Sequence, residues 1–335
     1  MEGPRSRIRV SAGVAIAAGV VLAGAACTAA PSRTSISATG TAAPAAISSG
    51  YRIGASPTVP GGRDLLLLGA GPGGSRGLWS FTVSDGWLEL QAVPWATTVA
   101  RFGDAVALAG PSRVELLASS EPAASRVTVP LDVPAATSNR PIVALARSPD
   151  GTLALITQGI AGPTYLVGRS GSVMTPLIPA PVQPLTPLVG WLDDQRLLVL
   201  STDSTQASRL TVLDVAAANV AQAGSMAGVR DFTVSGDRAT LAAATGEAIY
   251  AGSPNEILGA NPPTPVAAIP DGSVAWGLAV DYSGSALALL TATVGTDGTA
   301  GATREVGYRR SGRSWTPLFD VPVPLAAVVG QVWAP

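Results

Sequence analysis

Six turn residues spaced 40 to 47 positions apart, a strand-turn-strand unit repeated around each, and a last apolar stretch that no further strands follow predict an all-β chain: a β-propeller of six blades, closed by a C-terminal strand. The turn residues are Asp64, Asp104, Asp150, Asp194, Asp237 and Gly284. Four short strands and their turns use about 40 to 50 residues, and a ring of sheets that bury both faces against their neighbours needs one such unit per blade.

The repeating unit is a short apolar strand, a turn with Asp or Gly, a very apolar strand, and then one or two more polar strands. It is clearest in VALARSPDGTLALIT (143–157), LVGWLDDQRLLVLS (188–201), VRDFTVSGDRATLAAA (229–244) and AWGLAVDYSGSALALLTA (275–292). Weaker copies are VARFGDAVALAG (99–110) and GGRDLLLLGAG (61–71). The first copy lacks an inner strand before Asp64, because Pro57 and Pro60 interrupt residues 51–60. LAAVVGQVWA (325–334) reads as an inner strand with nothing after it, so pairing the two completes the first blade and closes the ring. Counting a weaker copy differently gives five or seven blades. A β-sandwich is the rival fold, but its strands would recur every 8 to 12 residues or so without the longer period.

Ahead of the propeller domain (51–335) the chain divides into two segments of different chemistry. Residues 1–26 follow the order of an export signal: Arg5, Arg7 and Arg9, an apolar run from Val14 to Leu22, then Ala23, Gly24, Ala25 and Ala26. That run is shorter than the roughly 20 residues a bilayer requires, so it reads as a cleaved lipoprotein signal peptide and not as a permanent transmembrane helix. The small residues precede Cys27, the single cysteine of the chain. With no partner for a disulfide and no companion for a metal site, that thiol is the candidate lipidation site. Two or more acyl chains there would hold the chain stably at a membrane, each buried methylene contributing about 0.8 kcal/mol. The alternative is an ordinary signal peptide cut near Ala26, with Cys27 incidental. Residues 27–50 are almost all Ala, Ser, Thr, Gly and Pro, with one charge at Arg33 and no aromatic. Such a stretch cannot bury enough apolar surface to offset its ordering entropy and is expected to be a disordered tether.

The whole chain has 21 basic and 22 acidic residues; without Arg5, Arg7, Arg9 and Glu2 it carries 18 and 21, a net charge near −3. All the basic residues are arginine, mostly scattered singly, and they form no stripe of the kind a nucleic-acid partner needs. There is no histidine and no lysine. Ser-His-Asp, Cys-His and Ser-Lys catalysis and Schiff-base chemistry are therefore excluded, and the commonest protein metal ligand is missing. An enzyme built from this chain would have to use carboxylates, tyrosine, arginine, or a cofactor or metal held by oxygen ligands.

Five local motifs invite a chemical reading, and each has a stronger structural one. Gly69-Ala70-Gly71-Pro72-Gly73-Gly74 matches the dinucleotide fingerprint, with Glu89 near the place of a ribose-binding acid. That fingerprint needs a helix opening in the loop, yet residues 75–94 read as two strands joined by Ser84-Asp85-Gly86, so a hairpin loop is expected. Asp193 and Asp194 suggest a metal or acid-base pair but fall on a turn, where Asp bonds its own backbone. Ser148-Pro149-Asp150-Gly151 is likewise a turn, with Pro presetting φ and Gly accepting a positive one. Trp191, Trp276 and Trp333 fall on inner strands, where they either pack the core or line the channel as a binding surface. Arg309, Arg310 and Arg313 form the only basic cluster and are expected at a solvated hairpin tip.

SPDGTLALIT, VGWLDDQRLLVLS and the stretch Ser314-Trp315-Thr316-Pro317 resemble the C-terminal propeller of the LpqB-type lipoproteins of actinobacteria, over roughly residues 140–320. The small residues before Cys27 resemble a lipobox, with Gly24 where that motif usually has Leu. The resemblance implies a lipid-anchored propeller on the extracytoplasmic face of the cell membrane. In that family the propeller follows a spore-germination-type domain and the lipoprotein is linked to an envelope-sensing histidine kinase. Residues 28–60 leave no room for that first domain, so the resemblance is carried for the propeller and the anchor and not for the kinase link.

The expected function is a non-catalytic binding module that recognises a protein or cell-envelope component through one propeller face. No catalytic, cofactor-binding or metal-ligating residue is assigned, and Cys27 is the one site residue. The alternative is a carboxylate- or cofactor-dependent glycan- or sugar-active enzyme on the same scaffold. Its signature would be Asp, Glu, Tyr and Arg converging at one mouth of the channel.

Overall fold

In the computed structural model, residues 52–53 and 65–333 are described, apart from 104, 112, 119–126, 136, 161, 178–182, 203–206, 296–298 and 300. They form six blades, each an antiparallel sheet of four strands, with one sheet carrying a fifth. Blade 1 runs outward from Ala327–Trp333 through Leu65–Ala70, Arg76–Thr82 and Gly86–Ala92. Blade 2 comprises Thr98–Phe102, Ala105–Gly110, Arg113–Ala118 and Val127–Val129, and blade 3 comprises Ile142–Arg147, Thr152–Gly159, Gly162–Arg169 and Thr175–Pro176. Blade 4 comprises Gln183–Trp191, Arg196–Thr202, Ser208–Asp214 and Asn219–Ala227. Blade 5 comprises Asp231–Val234, Leu241–Ala244, Ala248–Gly252 and Ala267–Ala268, and blade 6 Ser273–Val280, Ala286–Thr293, Arg304–Ser311 and Ser314–Pro322. Each inner strand touches the inner strands of the blades on either side, and the contact between blades 6 and 1 completes the ring.

The very apolar second strands are explained by their two buried faces. Successive side chains on a strand point to opposite sides, and here both sides meet a neighbouring sheet. Leu66 and Leu68 pack with Val99 and Leu117 of blade 2, whereas Leu65 and Leu67 pack with Ala288 and Leu290 of blade 6. The core accordingly divides into six clusters, one in each seam. Closure is as expected: Trp333 pairs with Leu65 and Val332 with Leu66, so the last strand of the ring completes blade 1.

Two elements were not anticipated. Arg52–Ile53 adds a short fifth strand to the outer edge of blade 1, parallel to Gly86–Ala92. A single helical turn, Pro254–Leu258, starts with a capping box in which Ser253 and Glu256 bond each other's backbone amides. It drops Ile257 and Leu258 into the seam between blades 4 and 5, where the second strand of blade 5 is mostly alanine and leaves room. The turns before the second strands follow the predicted chemistry. Gly151 takes a φ of 90° and donates to the Ser148 carbonyl, and Asp193 Oδ1 accepts from the amides of Gln195 and Arg196. Asp64 and Asp104 lie outside the described residues, as do Cys27 and the signal and tether segments.

One inter-blade strap carries a measurable cost. The inner strand of blade 6 shifts register between Trp276 and Ala279, and Gly277 takes a φ of 64° there. The Leu278 amide then donates to Asp231 Oδ2 of blade 5 at 3.0 Å. Burial raises the Asp231 carboxyl to about 6 against the opposing pull of that amide and those of Phe232 and Gly277. Replacing Asp231 with Ala strands a buried N–H, which costs about 1–3 kcal/mol. Urea denaturation is expected to show that loss, and an unchanged midpoint would contradict the strap.

Candidate functional site

The inner strands run to turns that ring one mouth of the channel, and polar side chains from those turns tie the blades together there. Arg238, held at a φ of 63°, sits on the blade 5 turn and sends its guanidinium to the carbonyl of Arg147 in blade 3, at 2.7 Å. It also donates to the carbonyl of Gly236. Arg101 of blade 2 donates to the carbonyl of Trp333 in blade 1 at 2.8 Å, with its guanidinium 5.6 Å from the ring centre of Tyr282 in blade 6. The Asp237 amide donates to the Tyr282 carbonyl at 3.0 Å, and the Asp150 amide to Asp194 Oδ1 at 2.6 Å. Arg147 lays its guanidinium over Phe102 at 5.2 Å. These contacts form one clasp that joins all six blades. A positive φ costs a non-glycine residue free energy and persists only where the surroundings hold it, as the paired carbonyls hold Arg238.

The carboxylates at this mouth are committed to structure. The Ser148 hydroxyl and the Thr152 amide hold Asp150 well below the ordinary carboxylate range, with Arg169 adding to them. Burial pulls Asp193 upward, but hydrogen bonds from Gln195 and Arg196 leave it lowered. Desolvation lowers the Arg238 guanidinium from its usual value, opposed by Tyr282, Asp194 and Asp237. The carboxyls raised by burial, Asp231 and Glu305, are enclosed within the protein away from the mouth. Among the described residues no group of three or more His, Cys, Asp or Glu is placed to hold a metal ion.

The tryptophans resolve in favour of packing. Trp191 is 2% exposed in the seam between blades 3 and 4. Trp333 lies in the seam between blades 6 and 1, its indole N–H donating to the Ala279 carbonyl at 3.2 Å, with Trp276 packed against the same cluster. Gly69 to Gly74 is the end of a strand and a hairpin loop, closed by the Gly74 amide on the Gly71 carbonyl at 2.9 Å. Arg309, Arg310 and Arg313 are exposed at the tip of the outer hairpin of blade 6.

No protein-family model and no curated protein matches this sequence. Solved structures do. TolB from Acinetobacter baumannii superposes with a TM-score of 0.56 at 14% identity, covering 82% of this chain and 67% of that one. A putative TolB from Agrobacterium tumefaciens gives 0.51 at 11% identity, covering 80% and 91%. The likeness is one of fold.

Asp150 and Asp194 read from the sequence as turn residues, but nothing there marks Arg101, Arg147 and Arg238 as parts of one clasp. Aligned on their turns, VARF and ALAR each place an arginine three residues before the turn Asp, at the end of an inner strand, whereas in SGDR the arginine directly follows the turn Asp.

Proposed function

We propose that this chain is an exported lipoprotein, lipidated at Cys27 and held by its acyl chains on the extracytoplasmic face of the cell membrane. There its six-bladed propeller acts as a non-catalytic module that binds a protein or envelope component. The observation that carries the reading is the state of the channel mouth. Arginine, aspartate and tyrosine do converge there, but Asp150 and Asp193 are turn acceptors, and the Arg238 and Arg101 guanidiniums are bonded to backbone carbonyls. Hydrogen bonds hold Asp150 and Asp193 below the ordinary carboxylate range, away from the near-neutral value a general acid or base requires. A stiff, clasped surface suits recognition, which gains from preorganisation. The resemblance of the repeats to LpqB-type propellers supports the same reading. Among the described residues, no helix is long and apolar enough to cross a membrane.

Replacing Cys27 with Ser is expected to move the protein from the membrane fraction to the soluble fraction or the medium. Mass spectrometry of the wild-type protein should find the cysteine acylated. Equal partitioning of the two proteins would overturn the anchor. Cross-linking of the full chain in intact cells is expected to trap an envelope component, whereas turnover of envelope glycans by the purified protein would overturn the non-catalytic reading.

A further inference from the structure

A groove opens at the same end of the propeller, in the seam between blades 6 and 1. Its floor is aromatic. Phe81 and Phe319 meet edge to face at 4.9 Å, and Trp333 lies beside them. Val83, on the turn after the third strand of blade 1, forms one wall and is 66% exposed. Phe81 and Trp333 are buried at the base of the groove, Phe319 is half-buried, and Val83 supplies the open apolar surface; an apolar concavity with a few polar groups around it is the usual make-up of a ligand pocket.

Two charges border the groove, Asp281 and Arg309, and they differ in what is left for a ligand. Asp281 is saturated. Its Oδ1 accepts from the amides of Ser285 and Ala286, and its Oδ2 accepts from the hydroxyls of Ser283 and Ser285. Arg309 has a guanidinium that meets no hydrogen-bond or ion-pair partner among the described residues. The register explains its direction. Arg309 pairs with Ala286, whose side chain belongs to the blade 1 side of the sheet. The neighbouring Arg310 belongs to the other face and, with Arg313, acts on Glu256 of the helical turn in blade 5. The basic cluster is therefore split, and one guanidinium is left at an aromatic groove.

We propose that this groove binds an apolar, preferably aromatic, side chain carrying an adjacent carboxylate. The ring lies between Phe319 and Val83, above the buried Phe81 and Trp333, and the carboxylate is taken by Arg309. The planar guanidinium suits a carboxylate because two parallel N–H groups meet its two oxygens. The same chemistry is offered by the C-terminal residue of a polypeptide and by a free N-acylated amino acid. This inference rests on the binding role proposed above and locates it.

The test is calorimetric titration of the full chain with N-acetylphenylalanine, with its carboxamide analogue, and with an N-blocked tripeptide ending in phenylalanine. The acid is expected to bind with a Kd on the order of 1 mM, as a ligand of this size allows. Removing the charge, by the carboxamide or by Arg309→Gln, should weaken binding by about 10-fold or more, as loss of a charged hydrogen bond does. Val83→Asp, at an exposed wall, should abolish it without lowering Tm, and Arg313→Gln should change nothing. Binding of the tripeptide at least as tight as that of the acid assigns a polypeptide terminus, and its exclusion assigns a free acylated amino acid. Absence of binding, equal affinity for acid and carboxamide, or full retention in Arg309→Gln would overturn the proposal. If the full chain still cross-links to an envelope component in that event, the binding role stands and only this location falls.

Discussion

A chain cut after residue 324 is expected to lose its cooperative melt. Residues Ala327–Trp333 are the inner strand of blade 1, and without them Leu65–Ala70 loses one complete ladder of backbone hydrogen bonds. The deletion also removes Trp333 and Leu325 from the seam between blades 6 and 1, and Val332 from the seam between blades 1 and 2. Arg101 loses the carbonyl that anchors it in the clasp. Trp333 is 4% exposed, and a buried Trp→Ala substitution by itself costs about 3–5 kcal/mol. Several such losses together exceed the roughly 5–15 kcal/mol by which a domain is stable. The truncated chain should therefore show a collapsed near-ultraviolet circular dichroism signal and a broad thermal transition. Trp333→Ala is the graded version, with a lower Tm and a transition that remains sharp. A truncated chain melting as sharply as the wild type, within a few degrees, would mean that the ring does not depend on its closing strand.

The second large effect concerns Glu305, which is fully buried on the third strand of blade 6. Desolvation pushes its carboxyl well above the ordinary glutamate value of 4.5, and the Gln331 carboxamide, facing it from the closing strand, offsets only part of the shift. Neither carboxyl oxygen has a hydrogen-bond partner among the described residues. The sign follows from linkage. Below pH 4.5 the group is protonated in both folded and unfolded chains, and its contribution is fully present. As pH rises, the unfolded chain ionises while the folded chain stays neutral, so stability falls by up to about 1.4 kcal/mol per pH unit until the folded carboxyl titrates. Glu305→Gln keeps the shape and removes the ionisation. The variant is expected to match the wild type at pH 4 and to exceed it above pH 4.5 by a margin that grows until the folded carboxyl ionises, as read from denaturation midpoints. Parallel curves would show that Glu305 is not held neutral.

Cys27→Ser and Asp231→Ala act on separate parts of the chain, the anchor and a seam. Their expected effects do not overlap: the first changes where the protein is found, and the second changes how firmly it folds.

The amino-acid sequence by itself determined the repeat, the turns and the closure, because each is written in local chemistry. Pro149 and Gly151 favour a turn, a strand buried on both faces must be apolar throughout, and the apolar stretch 325–334 supplies the inner strand that the first copy lacks. Brief elements were harder to see. Arg52–Ile53 has only two residues and no periodicity to read, and the capping box of Ser253 and Glu256 serves a helix of only five residues. What the tertiary structure alone decided is which distant side chains meet. Arg238 reaches a carbonyl 91 positions away, and Arg101 one that is 232 positions away. Glu305 looks like a solvated strand residue until the blade 1 strand carrying Gln331 is set beside it. Arg309 and Arg310 are adjacent in the chain but face different seams. Strand formation is governed by neighbours along the chain, whereas these encounters depend on the angle between successive sheets and on the ring closing, which no single repeat encodes.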